Sequence, residues 1–164
     1  MKTLQINLVL VLLVCLFITS CSSEEDGIYF KQHVEVAVEY SDIELEILDL
    51  VNDYRVSKGL GALDKMNIIS DVAETHTNYM AKTGKVCHDN FSERHQKLVS
   101  NANAKIVGEN VGYGFTTAEG VVNAWLKSDS HRELIEKPAY THFGISTEKN
   151  IEGRNYFTQI FIER

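Results

Sequence analysis

The chain has 164 residues, 44% of them hydrophobic, with 23 acidic against 16 basic side chains and a formal net charge of −7. That much apolar material supports one real core of ordinary domain size. The acidic balance repels phosphate backbones and argues against a nucleic-acid partner.

Lys2 precedes an unbroken apolar run from Leu8 to Ile18. The run is shorter than the about 20 residues of a membrane span and has the length of a signal-peptide core. Ile18-Thr19-Ser20-Cys21 then sets small residues directly before a cysteine. This resembles the lipobox of bacterial lipoproteins, which implies a removed signal peptide over residues 1–20 and a lipid on Cys21. An ordinary secretory signal cut near Ser20, or a short anchor, are the competing readings. The acidic stretch Ser22 to Asp26 reads as a solvated tether, and it also resembles surface-export signals of lipoproteins. The expected location is the cell envelope, with a membrane partner through the lipid, and the outer membrane or cell surface if the cell is Gram-negative. With Cys21 acylated, Cys87 has no partner and is expected to be a free thiol.

Residues 21–40 thus form the lipidated cysteine, tether and N-terminal arm, and residues 41–164 the folded domain. In the arm, Val34, Val36 and Val38 alternate with Glu35, Ala37 and Glu39, as in a short strand or extended segment. Ser41 with Glu44 three places on is a capping-box signal, and Ile43, Ile47, Leu50, Val51 and Tyr54 follow at helical spacing up to Lys58-Gly59. A second helix is expected over Asn67 to Lys82 with Ile69, Val72, Ala73, His76 and Met80 inward, stopped by Gly84. A third spans about Ser92 to Ser100. Gly112-Tyr113-Gly114 reads as a flexible connection. A fourth helix follows Thr116-Thr117 and carries Val121, Val122, Trp125 and Leu126, with one more turn from Asp129-Ser130 to Ile135 before Pro138. The period then changes. His142 to Thr147 and Tyr156 to Ile162 read as two strands joined by a polar turn, a hairpin. Helices first and antiparallel strands last predict an α+β domain.

Six histidines are present. His33 and His95 read as solvated, His142 merely opens a strand, and His76 reads as a core histidine with one hydrogen bond. Cys87 next to His88 raises a thiol-protease reading. Neighbours on an extended segment point to opposite faces, so the adjacency argues against a working pair. No Gly-x-Ser-x-Gly elbow, His-Glu-x-x-His pair or phosphate-binding glycine loop occurs.

The remaining signals occur in a fixed order. They are His88, then Gly108-Glu109-Asn110, then Trp125-x-x-Ser128-x-x-His131-Arg132-x-x-Ile135, then Phe143-Gly144-Ile145, and finally Phe157-Thr158-Gln159. This set resembles the CAP superfamily, which takes in the cysteine-rich secretory proteins, allergen-type antigens and plant pathogenesis-related proteins. It is most similar to the small bacterial, SCP-like members, over about residues 41–164. The resemblance implies an α-β-α sandwich with a small antiparallel sheet between helical layers. It also implies a central cleft holding His88, Glu109 and His131. Two imidazoles and a carboxylate suit a divalent metal such as zinc with a position left open. These residues are spaced 21 and 22 apart, so convergence rests wholly on the fold. Animal members often place a second acid where this chain has Ser128, and Asp129 beside it would project about 100° away on a helix.

The residues also allow a purely structural role. Glu109 and Asn110 could brace a loop, His131 could start a helix, and His88 could pack on Trp125. Three functions therefore follow as expectations. The first is a non-enzymatic envelope binding module for a lipid, peptide or glycan. The second is a zinc-dependent hydrolase acting through His88, Glu109 and His131. The third is a structural envelope protein.

Overall fold

The computed structural model describes residues 37–164. The apolar run, Cys21, the acidic tether, His33 and most of the arm lie outside the described residues. Residues 37–41 have no regular structure. Among the described residues no helix is long and apolar enough to cross a membrane.

Helix α1 runs Asp42–Ser57. In its Ser41/Glu44 capping box, the Glu44 carboxylate accepts from the Ser41 amide at 2.8 Å and from the Ser41 hydroxyl at 2.7 Å. Its other oxygen accepts from the Thr147 amide at 2.6 Å, so the box also ties α1 to the sheet. A two-residue strand β1, Asp64–Lys65, leads into α2, Asn67–Thr83, which ends on Gly84 in the left-handed region. Helix α3 is Phe91–Ala102, and strand β2 is Ile106–Tyr113. Helix α4, Ala118–Lys127, is capped by the Thr117 hydroxyl, which accepts from the Gly120 amide. Helix α5 is Asp129–Ile135, and the hairpin follows as β3, His142–Lys149, and β4, Asn155–Glu163.

The four strands form one mixed sheet in the order β1-β3-β4-β2, with β1 parallel to β3 and the other pairs antiparallel. Two elements correct the sequence reading. Residues 106–113 are a full strand rather than a loop with a flexible glycine connection, and β1 was not foreseen. The register shows why β2 lacks an apolar alternation. Asn110 lies opposite Gln159, and Gly108 and Gly112 lie opposite Phe161 and Phe157. A Cβ on Gly108 would collide with the Tyr140 hydroxyl, so the glycine serves a close approach, not mobility.

Strand alternation gives the sheet two faces. Phe143, Ile145, Phe157 and Phe161 meet α1, α4 and α5 in one cluster with Ile47, Val51, Val121, Trp125 and Ile135. Ile160 and Ile162 meet Ile69, Val72, Ala73, Leu98 and Ala102 of α2 and α3 on the other. Helix α2 packs so tightly that a Cβ on Gly144 would stand 2.5 Å from the Ser70 amide nitrogen. The result is the expected α+β sandwich. Its position-setting feature is that β2 is an edge strand, so side chains from both helical layers reach around it.

Candidate functional site

Glu109 is the hub. It sits on β2 and points to the α2–α3 face, 6% exposed. Arg94 of α3, also buried, grips it bidentately, with Nε to Oε2 at 2.7 Å and Nη2 to Oε1 at 2.8 Å. His88 brings Nδ1 to the same Oε1 at 2.8 Å, although half of its side chain is exposed. The His76 Nε2 lies 3.9 Å from that oxygen. Burial alone would raise the Glu109 pKa. The hydrogen bonds from His88 and Arg94 and the Arg94 charge outweigh burial and hold the carboxyl below its ordinary range.

His76 is a core histidine, as expected, 2% exposed and with Nε2 on the Cys87 carbonyl at 2.6 Å. A carbonyl only accepts, so Nε2 carries the proton. Burial pushes the His76 pKa down. Among the described residues Cys87 has no disulfide partner, and it helps hold the neighbouring Asp89 carboxyl below its ordinary range.

His131 arrives from α5, on the opposite side of the sheet. Its Nδ1 lies 2.7 Å from the Ser128 hydroxyl, and its backbone carbonyl accepts from Asn110 Nδ2 at 3.2 Å. Ser128, not Asp129, therefore meets the imidazole. Asp129 is exposed and pairs with Arg132 at 2.6 Å. Burial lowers the His131 pKa, and the nearby His88 lowers it further. Trp125 is not a partner of His88. Its indole donates to the Val111 carbonyl at 2.8 Å.

His88 and Glu109 meet at the β2 edge, and the His131 backbone reaches the same strand from the other layer, but the three are not placed as ligands around one point. Glu109 is committed to Arg94 and His88. Among the described residues no group of three or more His, Cys, Asp or Glu side chains is placed to hold a metal ion. A guanidinium fork on the carboxylate also opposes a cation there. Behind the hub, His76 and Arg94 line a cavity of about 340 Å³ with Thr75, Tyr79, Asn90, Glu93 and Lys97.

The sequence reading missed Arg94. A signal existed: Arg94, Leu98 and Ala102 fall at four-residue spacing on one buried helical stripe, and a cation on such a stripe implies a buried partner.

The family model for the cysteine-rich secretory protein family, CAP, matches residues 48–161. The chain belongs to this family. Among relatives, the membrane protein YlbC of Bacillus subtilis is 31% identical over 126 residues, covering 74% of this chain and 34% of its own length. The protein YkwD of the same organism is 30% identical over 125 residues, 74% of this chain and 48% of its own. The CAP chain therefore spans half or less of these relatives. Of solved structures, an outer surface protein of Borrelia burgdorferi superposes with a TM-score of 0.67 at 20% identity, over 78% of this chain and 99% of that one. An extracellular SCP-domain protein of Bacillus anthracis gives 0.64 at 21%, over 78% and 45%. At these identities the structures show that the CAP fold is shared.

Proposed function

We propose that this CAP protein is a non-enzymatic binding module of the cell envelope, tethered through a lipid on Cys21. The lipobox-like sequence supports the tether, as do relatives described as a membrane protein and an outer surface protein. The ligand is a peptide, glycan or lipid head group that meets His88 and His131 at the β2 edge and the cavity that His76 and Arg94 line behind Glu109.

One observation carries the non-enzymatic reading, namely the commitment of Glu109 to Arg94. A hydrolytic base must take a proton near neutral pH. A carboxylate held below its ordinary range by hydrogen bonds from His88 and from a bidentate guanidinium is a poor base. The residues likewise do not fit a three-ligand zinc centre. What they fit is a weaker arrangement. Each imidazole has Nδ1 fixed, by Glu109 or Ser128, and leaves Nε2 for a ligand, with Glu109 as an outer partner.

The test is NMR titration of the protein with muropeptide-like glycans, short peptides and lipid head groups. The proposal expects shifts confined to His88, His131 and the cavity lining, and no chelator-sensitive turnover of esters or peptides. Turnover that vanishes in Glu109→Gln would overturn it in favour of a hydrolase.

A further inference from the structure

We infer that His76 and Arg94 are positioning residues for His88, acting through Glu109 and through the two carbonyls that flank His88. The inference rests on the reading of His88 as a ligand-facing group and adds what holds it and which nitrogen it presents.

His88 lies between Gly84, where α2 ends, and Phe91, where α3 begins, in a segment without regular structure. Such a residue would ordinarily be mobile. Here the carbonyl before it, Cys87 O, accepts from His76 Nε2 at 2.6 Å. The carbonyl after it, Asp89 O, accepts from Arg94 Nη1 at 2.8 Å. Both donors are at least nine-tenths buried, at 2% and 5% exposure. The backbone on either side of His88 is therefore suspended from two core side chains.

The ring is fixed by the same machinery. Arg94 is a planar fork. Two of its nitrogens set the plane of the Glu109 carboxylate while the third holds Asp89, so one guanidinium orients both the ring's partner and the ring's own loop. An ionised carboxylate only accepts, so neutral His88 must carry its proton on Nδ1, the atom 2.8 Å from Glu109. That leaves the lone pair on Nε2. A free neutral imidazole in water favours the opposite tautomer, so the arrangement imposes a choice. The site then selects ligands that offer a donor to Nε2, a hydroxyl, an N–H or a cation, over ligands that offer a carbonyl or carboxylate.

The test reads the tautomer directly. Long-range proton–nitrogen NMR of the ligand-free, full-length protein is recorded at about pH 8, above the ordinary imidazole range. The expected result is a protonated Nδ1 and an unprotonated Nε2 on His88. In Arg94→Lys, which keeps the charge but loses the fork, and in His76→Phe, which releases the Cys87 carbonyl, the His88 signals should shift toward the Nε2-protonated form. The Trp125 indole signal should stay in place as the control for an intact fold. If Arg94→Lys does not fold, Glu109→Gln takes its place. Its amide offers one oxygen where the carboxylate offers two, so one arm of the fork meets an N–H, the anchor for Nδ1 is weakened, and the His88 signals should shift toward the Nε2-protonated form. A wild-type His88 protonated on Nε2, or variants that keep the native tautomer with Trp125 unmoved, would overturn the inference. Because these spectra contain no ligand, a failed ligand titration beside the expected tautomer would sink the binding proposal and leave this one standing.

Discussion

The indole N–H of Trp125 reaches across from α4 to the carbonyl of Val111 on edge strand β2 at 2.8 Å, in the interior of the domain. The bond matters because β2 is held on one side only by β4. Trp125 therefore supplies both packing, being 2% exposed, and an anchor for the strand that carries Glu109. Trp125→Ala should cost about 3–5 kcal/mol. Trp125→Phe, which keeps most of the packing and loses the donor, should cost about 1–3 kcal/mol, the penalty of a buried carbonyl left unsatisfied. Denaturant unfolding of both variants checks the pair, and a Phe variant as stable as wild type would show that the hydrogen bond contributes nothing.

Arg55 is 1% exposed and its three hydrogen bonds all go to backbone carbonyls. It donates to Gly61 at 2.9 Å, Ile135 at 2.6 Å and Lys137 at 3.1 Å. It closes the C-terminal end of α5 and fastens the segment that follows to α1. Burial pushes its pKa below the ordinary guanidinium value, yet it stays charged. Arg55→Met should destabilise the domain by about 1–3 kcal/mol through the orphaned Ile135 carbonyl. Arg55→Lys should recover little, since one ammonium cannot span three separated acceptors. Thermal melts of the two variants decide this, and a Lys variant as stable as wild type would contradict the fork argument.

The pH dependence follows from His76. Its pKa is lowered by burial, so the unfolded chain binds the proton more readily than the folded one. The stability this neutral ring confers is full above about pH 6.5 and is lost as pH falls toward its folded value, with a slope of up to about 1.4 kcal/mol per pH unit. His131, also lowered, adds loss in the same direction. Glu109, likewise lowered, adds its own loss only below the ordinary carboxyl range. His76→Gln keeps a donor for the Cys87 carbonyl and removes the titration. Its stability between about pH 6.5 and 5 should fall less steeply than wild type, and an unchanged slope would rule out His76 as the source.

How much of this was legible in the sequence depends on what kind of signal each residue leaves. Helix α2 was readable because Ile69, Val72, Ala73, His76 and Met80 form a helical stripe and Gly84 ends it. The hairpin was readable because β3 and β4 alternate. Strand β2 was not, because its residues answer to long-range neighbours: Gly108 to Tyr140, Gly112 to Val121, Asn110 to His131 and Glu109 to Arg94. None of those contacts leaves a local period. A shared cleft for His88, Glu109 and His131 was expected only through family resemblance, and the hold of Arg94 on Glu109 was not expected at all. Whether Glu109 is a ligand or an outer partner depends on Arg94, fifteen residues away on a helix. The trace of that in the sequence is a cation on an apolar stripe.

The metal question separates those two roles for Glu109. On the proposed reading, with the carboxylate held by Arg94, the imidazoles of His88 and His131 are what the site would offer zinc, and among the described residues no group of three or more ligands is placed to hold it. Such a site should fall well short of the about 10 kcal/mol of a structural zinc, so stripping the protein with chelator should leave its melting temperature unchanged. Calorimetric titration of zinc into the stripped protein should then give weak binding that disappears in His88→Ala and in His131→Ala. Affinity should drop on acidification, because each imidazole must be unprotonated to bind. The lowered pKa of His131 keeps that ring available to somewhat lower pH than an ordinary imidazole. Glu109→Gln is the deciding variant. As an outer partner of His88, Glu109 should contribute about 10-fold to 100-fold in affinity, so the variant binds more weakly but still binds. Complete loss in Glu109→Gln, or tight binding that raises the melting temperature of the native protein, would mean that the carboxylate leaves Arg94 to join the metal, and the outer-partner assignment would be wrong.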